Sequence, residues 1–125
     1  MKLFSCPACS QVVFFENVLC ERCGHALGYE PGANRMLALD PADGIFVSAG
    51  THSDGSSWKY CANYDYGVCN WLIAGDSADQ FCRACRHNVT VPDASDPDNV
   101  ARWRKMEIAK RRMVYTLLRL GLPLI

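Results

Sequence analysis

Eight of the 125 residues are cysteine, and they fall into two groups of four. The first group runs Cys6-Pro-Ala-Cys9, then ten residues, then Cys20-Glu-Arg-Cys23-Gly24. Each C-x-x-C presents two sulfurs from one tight turn, and the short loop between the pairs lets the second face the first. That is the spacing of a tetrahedral four-cysteine zinc site. The second group, Cys61, Cys69 and the pair Cys82-Arg-Ala-Cys85, is less regular and reads as a second four-cysteine site. The chain is therefore expected to carry two zinc ions. Sequential pairing is favoured over an interleaved cross-brace, because it closes shorter loops around each metal.

Length makes metal the natural source of stability. A chain of 125 residues is one domain or two very small ones, and only part of this one reads as core-forming. Thiolate ligation of zinc contributes roughly 10–16 kcal/mol per site, against about 5–15 kcal/mol for the stability of an ordinary domain. Met1 to Ser5 run straight into the first cysteine pair, which leaves no room for a signal peptide, and no apolar run approaches the roughly 20 residues of a membrane span. A cytoplasmic location is expected, and its reducing conditions argue against disulfides.

Neither site has the makings of a catalytic centre. A catalytic zinc keeps an open coordination position, whereas four thiolates close the shell and leave no bound water to activate. The three histidines, His25, His52 and His87, belong to no His-Glu-x-x-His or other spaced pair. They read as surface residues, with a place beside a metal as the alternative for His25 and His87. No catalytic residue is assigned, and the chain by itself is not expected to be an enzyme.

The formal net charge of zero hides a split. Residues 1–96 hold eleven acidic and six basic side chains, and residues 97–125 hold two and seven, so the front is −5 and the tail +5. Each zinc held by four thiolates adds a further −2 to the front. So acidic a surface argues against nucleic acid, and the basic tail reads as the solvated side of an amphipathic helix. No membrane interaction is expected.

Four segments follow: a first zinc ribbon at 1–30, a linker with short strands at 31–57, a second zinc-binding ribbon at 58–95 and a helix at 96–125. In the first, Val12 to Phe15 and Val18-Leu19 flank Glu16-Asn17 and predict a hairpin with Asn17 near its turn. Met36 to Leu39, Ile45 to Val47, Trp58 to Cys61 and Cys69 to Ile73 predict further strands. In the last, Asp96 predicts the N-cap, Pro97 the first turn and Gly121 the stop. At 100° per residue Val100, Trp103, Met106, Met113, Val114, Leu117, Leu118 and Leu120 share one apolar arc, on which only Glu107 and Lys110 intrude. The opposite arc carries Arg104, Lys105, Arg111, Arg112 and Arg119. The fold class is thus a small metal-stabilised α+β fold: two zinc-ribbon-like four-cysteine sites with short β-hairpins, plus one long C-terminal amphipathic helix. An apolar arc of that size needs a cover, from a protein partner, a downstream domain or a second copy of the chain.

Several of these pieces occur together in a known family. Cys6-x-x-Cys9, Cys20-x-x-Cys23-Gly24, Leu27-Gly-Tyr29, Tyr60-Cys61-Ala-Asn63, Cys69-Asn-Trp71-Leu72, Phe81-Cys-Arg-Ala-Cys85-Arg86, Pro92-Asp93 and Ala109-Lys-Arg-Arg112 through Leu120-Gly-Leu-Pro123 resemble the N-terminal region of a bacterial family of zinc-binding metallopeptidases. The resemblance covers nearly the whole chain. It implies that the eight cysteines hold zinc and that a peptidase-like half, with a catalytic His-Glu-x-x-His, follows in family members; that half is absent from the 125 residues. The leading expectation is a non-catalytic zinc-binding module serving as a scaffold or protein-interaction domain. The alternatives are an accessory domain of a metallopeptidase and a nucleic-acid-binding ribbon.

Overall fold

A computed structural model describes residues 3–50, 55–88, 93 and 95–123. His52, Pro92 and Ile125 lie outside these. In chain order the elements are β1 (Phe4–Ser5), β2 (Val12–Val13), β3 (Ala26–Glu30), β4 (Arg35–Ala42), β5 (Ile45–Ala49), β6 (Ser57–Tyr60), β7 (Leu72–Ala74) and α1 (Pro97–Arg119). A short 3-10 turn, Ala62–Tyr66, joins β6 to β7, and another covers Cys85–His87. This is the small α+β architecture expected, with both cysteine groups and one long C-terminal helix.

β1 and β2 form a two-stranded ladder, Phe4 opposite Val13 and Ser5 opposite Val12. The expected hairpin between Val12 to Phe15 and Val18-Leu19 is therefore not the pairing adopted. Val12-Val13 pair backwards with β1, and Leu19 bridges forward to Ala26. The pairing adopted sets each C-x-x-C at the turn of its own ladder, Cys6 to Cys9 between β1 and β2 and Cys20 to Cys23 between Leu19 and Ala26, so that the four sulfurs converge. Residues 14–17 instead make a tight turn, with Phe14 N–H donating to Asn17 Oδ1 at 2.6 Å and Asn17 N–H to the Phe14 carbonyl at 3.0 Å.

β3 to β7 form a five-stranded antiparallel meander in sequence order. The glycine, proline and aspartate of 31–57 serve its tight turns: Asp43-Gly44, both with positive φ, closes the β4–β5 hairpin in the manner of a type I′ turn. The sheet curls until its first strand meets the residue before its last. Tyr29 bridges Trp71 in parallel, Tyr29 N–H donates to the Asn70 carbonyl at 3.0 Å, and the Tyr60 hydroxyl donates to the Leu27 carbonyl at 2.7 Å. Gly28 permits this closure, since a Cβ there would sit 2.5 Å from a Leu72 methyl.

Alternation along β4 feeds two cores. Leu37 and Leu39 join Leu72, with Phe46, Trp58 and Tyr60, on one face. Met36 and Ala38 join the larger core on the other, where Tyr29 is the hub. Its ring centroid lies 6.0 Å from Phe4, 5.5 Å from Phe15, 5.0 Å from Trp71 and 6.0 Å from Tyr115, so one side chain ties ribbon, sheet and helix together.

α1 begins and ends as expected. The Asp96 carboxylate accepts from Asp98 N–H at 2.9 Å, and Pro97 fills the first turn. At the far end Gly121 (φ 71°) donates to the Leu118 carbonyl and Leu122 to the Leu117 carbonyl, a Schellman stop. Its packing face differs from the predicted arc. Trp103, Glu107, Arg111, Val114 and Tyr115 are buried, while Met106, Met113 and Leu120 point to solvent. Trp103 and Val114 of the apolar arc are thus covered within the monomer, and Arg111 of the basic arc is buried with them. Two polar side chains face inward here: Glu107 meets Trp103 Nε1 at 3.0 Å and Lys110 Nζ at 2.7 Å, while Arg111 Nη1 lies 3.5 Å from Asn70 Oδ1 and its Nε has no hydrogen-bond partner among the described residues.

Candidate metal centres

The first centre is built from two copies of one knuckle. In the first, Ser10 N–H donates to the Cys6 carbonyl at 2.8 Å and Cys6 N–H to the Gln11 carbonyl at 2.8 Å. In the second, Gly24 N–H donates to the Cys20 carbonyl at 2.8 Å and Cys20 N–H to the His25 carbonyl at 3.0 Å. The residue after each pair must turn left-handed: Gly24 does so at φ 81° at no steric cost, and Ser10 does so at φ 67° at a cost of about 1–2 kcal/mol. Gly50 lets the end of β5 press on the first knuckle, because a Cβ there would lie 2.1 Å from the Pro7 carbonyl oxygen.

Facing each other, the knuckles bring Cys6 Sγ to 3.6 Å from Cys23 Sγ and Cys9 Sγ to 3.5 Å from Cys20 Sγ. In the second group Cys69 Sγ lies 3.7 Å from Cys82 Sγ. Within each group all four sulfurs fall within 4.8 Å of one another. A tetrahedron with zinc–sulfur bonds of about 2.3 Å has edges of about 3.8 Å, whereas a disulfide needs about 2.05 Å. The donor sets fit zinc, and all eight cysteines are free thiols. Grouping is sequential, as loop length favours.

The centres differ in burial. Cys61, Cys69, Cys82 and Cys85 are all buried, with Trp71 N–H at 3.5 Å from Cys69 Sγ and Cys85 N–H at 3.3 Å from Cys82 Sγ. In the first centre Cys6 and Cys20 are buried while Cys23 is exposed. Burial pushes the Cys6 thiol up to about 12, whereas the backbone N–H of His25 and then its imidazole bring the Cys23 thiol down to about 6. His25 Nδ1 stands 3.4 Å from Cys23 Sγ, and its Nε2 stands 3.2 Å from Asp40 Oδ1. Contact with Cys23, backed by Asp40, raises the imidazole above its usual range. His25 is thus the outer partner of a site thiolate rather than a plain surface histidine; His87 has no place in either cluster. Two further groups stand beside the centres. Asp40 carries no signal in the sequence, while Glu107, now 3.9 Å from Cys85 Sγ, was marked by its intrusion on an apolar arc.

The family model for the zinc-ribbon domain matches residues 3–96, three quarters of the chain, and stops at the cap of α1. The chain belongs to the zinc-ribbon domain family. With two four-cysteine clusters of the right size, this zinc-ribbon protein binds two zinc ions. It is similar to an uncharacterized protein of Mycobacterium bovis and to two of Mycobacterium tuberculosis, each 31% identical over 125 residues. The alignment takes in 100% of this chain and 33% of each relative, so the zinc-ribbon chain spans about a third of their length. No solved structure matches it. Among the described residues, no helix is long and apolar enough to cross a membrane.

Proposed function

We propose that the chain is a non-catalytic, cytoplasmic zinc-binding module whose two closed tetrathiolate sites hold a protein-interaction scaffold. Cys6, Cys9, Cys20 and Cys23 would ligate one ion and Cys61, Cys69, Cys82 and Cys85 the other. The observation that carries this reading is the sulfur geometry: each cluster supplies four thiolates at tetrahedral spacing, which fills the coordination shell of zinc and leaves no position for substrate or activated water. Zinc supplies a fixed fourfold node at each site. The chain's own residues do the rest: the knuckle N–H groups orient the sulfurs, and Tyr29, Trp71 and Tyr115 tie the nodes to the sheet and to α1. Elemental analysis and native mass spectrometry of the purified chain test it, with two zinc ions and eight reduced cysteines expected. One ion per chain, or an intact mass showing disulfides, would overturn it, as would chelator-sensitive cleavage of a denatured protein substrate.

A second reading is supported by the length of the relatives. As the chain spans a third of them, the module would serve as an accessory domain of a longer protein, in line with its resemblance to the front of zinc-binding metallopeptidases. A downstream His-Glu-x-x-His in the same reading frame would favour this reading.

A further inference from the structure

The outward face of α1 carries a second seam. Met106, Ala109, Met113, Thr116 and Leu120 recur at alternating intervals of three and four residues, the spacing of a helix that packs along another helix. All five are exposed, Met106 at 73%, Met113 at 57% and Leu120 at 68%. The inner face is already occupied through Trp103, Glu107, Arg111, Val114 and Tyr115, so the seam is additional to the packing that holds α1 in place. Scattered exposed apolar residues need no explanation, but a set in seam register does. Large, flexible methionines alternate with the small Ala109 and Thr116, and that leaves holes in which the side chains of a facing helix can sit.

Charge says what kind of helix that is. Lys105, Arg112 and Arg119 each precede a large seam residue and form a basic row along one flank. Arg112 shares Glu16, at 2.5 and 3.1 Å, but Arg102, Lys105 and Arg119 have no carboxylate partner among the described residues. Between 105 and 120 the single carboxylate of α1 is Glu107, which is buried on the other side. A second copy makes a poor occupant. Antiparallel pairing would set the basic row against itself, and parallel pairing would set it against Lys110 and Leu117; neither supplies an acid. Opposite charge on the flanks, by contrast, both steers and aligns a partner helix.

We propose that α1 uses this outward seam to dock an amphipathic helix with acidic flanks, presented by a partner protein. This rests on reading the chain as an interaction module, and it names the chemistry of the partner. The test uses the zinc-loaded full chain and two synthetic three-heptad peptides, both with leucine along the seam, one flanked by glutamate and its twin by lysine. Titration calorimetry should show the glutamate peptide binding at least about tenfold tighter than its twin, and weakening as salt rises. Met113→Glu should weaken that binding by about tenfold or more, with the circular dichroism spectrum and a zinc content of two unchanged. Lys105→Glu combined with Arg119→Glu should reverse the preference between the peptides. Equal affinity for both peptides, no binding of the glutamate peptide, or a dimer of the chain that Met113→Glu dissolves would overturn the proposal. Zinc content and peptide preference are separate readouts, so failure of the metal assignment and failure of the seam are told apart.

Discussion

The carboxylate of Glu107 lies 3.9 Å from the sulfur of Cys85. Both are buried, and a zinc tetrathiolate carries −2, so a second anion at this distance needs its own counter-charge. The ammonium of Lys110 supplies it at 2.7 Å from Oε2, while Trp103 Nε1 donates to Oε1 at 3.0 Å and Lys110 also holds the side-chain carbonyl of Asn88. The second centre and the first half of α1 are thereby one unit.

Removing Lys110 strands Glu107 beside the thiolates. Lys110→Met should cost about 3 kcal/mol, the low end for breaking a buried pair, since the lysine side chain is 20% exposed. Glu107→Gln should cost less, because Lys110 keeps Asn88 and reaches water. Urea denaturation of both variants checks the order; equal costs would mean that Glu107 carries no uncompensated charge.

Breaking a ligand and breaking its outer partner should differ in kind. Cys20→Ser opens a buried tetrahedral site and should forfeit most of the roughly 10–16 kcal/mol that zinc contributes there, leaving the ribbon unfolded. His25→Ala leaves four thiolates in place and removes only the contact to Cys23, which should weaken zinc binding by roughly 10–100-fold. Competition with a chromophoric chelator measures both, and comparable losses would show His25 to be a ligand.

Chelation should unfold more than the ribbon. Cys6, Cys20, Cys61, Cys69, Cys82 and Cys85 all lie in the same core as Tyr29, Trp71 and Tyr115, so removing metal takes away both the cross-links and the packing they organise. Far-ultraviolet circular dichroism and tryptophan fluorescence should change together on adding chelator. Acid should do the same, because protons compete with zinc for thiolates as pH falls. A helix signal untouched by full zinc removal would separate α1 from the metal core.

Two backbone positions make a matched pair. Gly28→Ala drives a methyl against Leu72 where the sheet closes, and should cost about 1–3 kcal/mol. Ser10→Gly relieves a left-handed serine in the first knuckle and should add up to about 1 kcal/mol. Thermal melts of the zinc-loaded variants should move in opposite directions.

Where chemistry is local, the sequence alone was enough. Four thiolates in two C-x-x-C pairs can satisfy one metal with little chain between them, so the first centre follows from spacing, and the second from having the same four donors in a looser arrangement. The limits of α1 were equally legible, because Asp96, Pro97 and Gly121 act on backbone groups within a turn of themselves.

Tertiary structure decided which partner each local element takes. Val12-Val13 could pair forward or backward, and the backward pairing with β1 aims the knuckle at the metal. The helix could turn either of two arcs inward. The arc chosen buries Glu107 and Arg111 and leaves Met106 and Met113 in water: Trp103 and Lys110 hold Glu107 from α1 itself, while Asn88 and Asn70, brought there by the loops of the second centre, meet Lys110 and Arg111. Hydrophobic periodicity weighs each residue by its transfer from water, while burial of a polar face also turns on the groups it meets, and those beyond its own helix are brought within reach only by the folded loops.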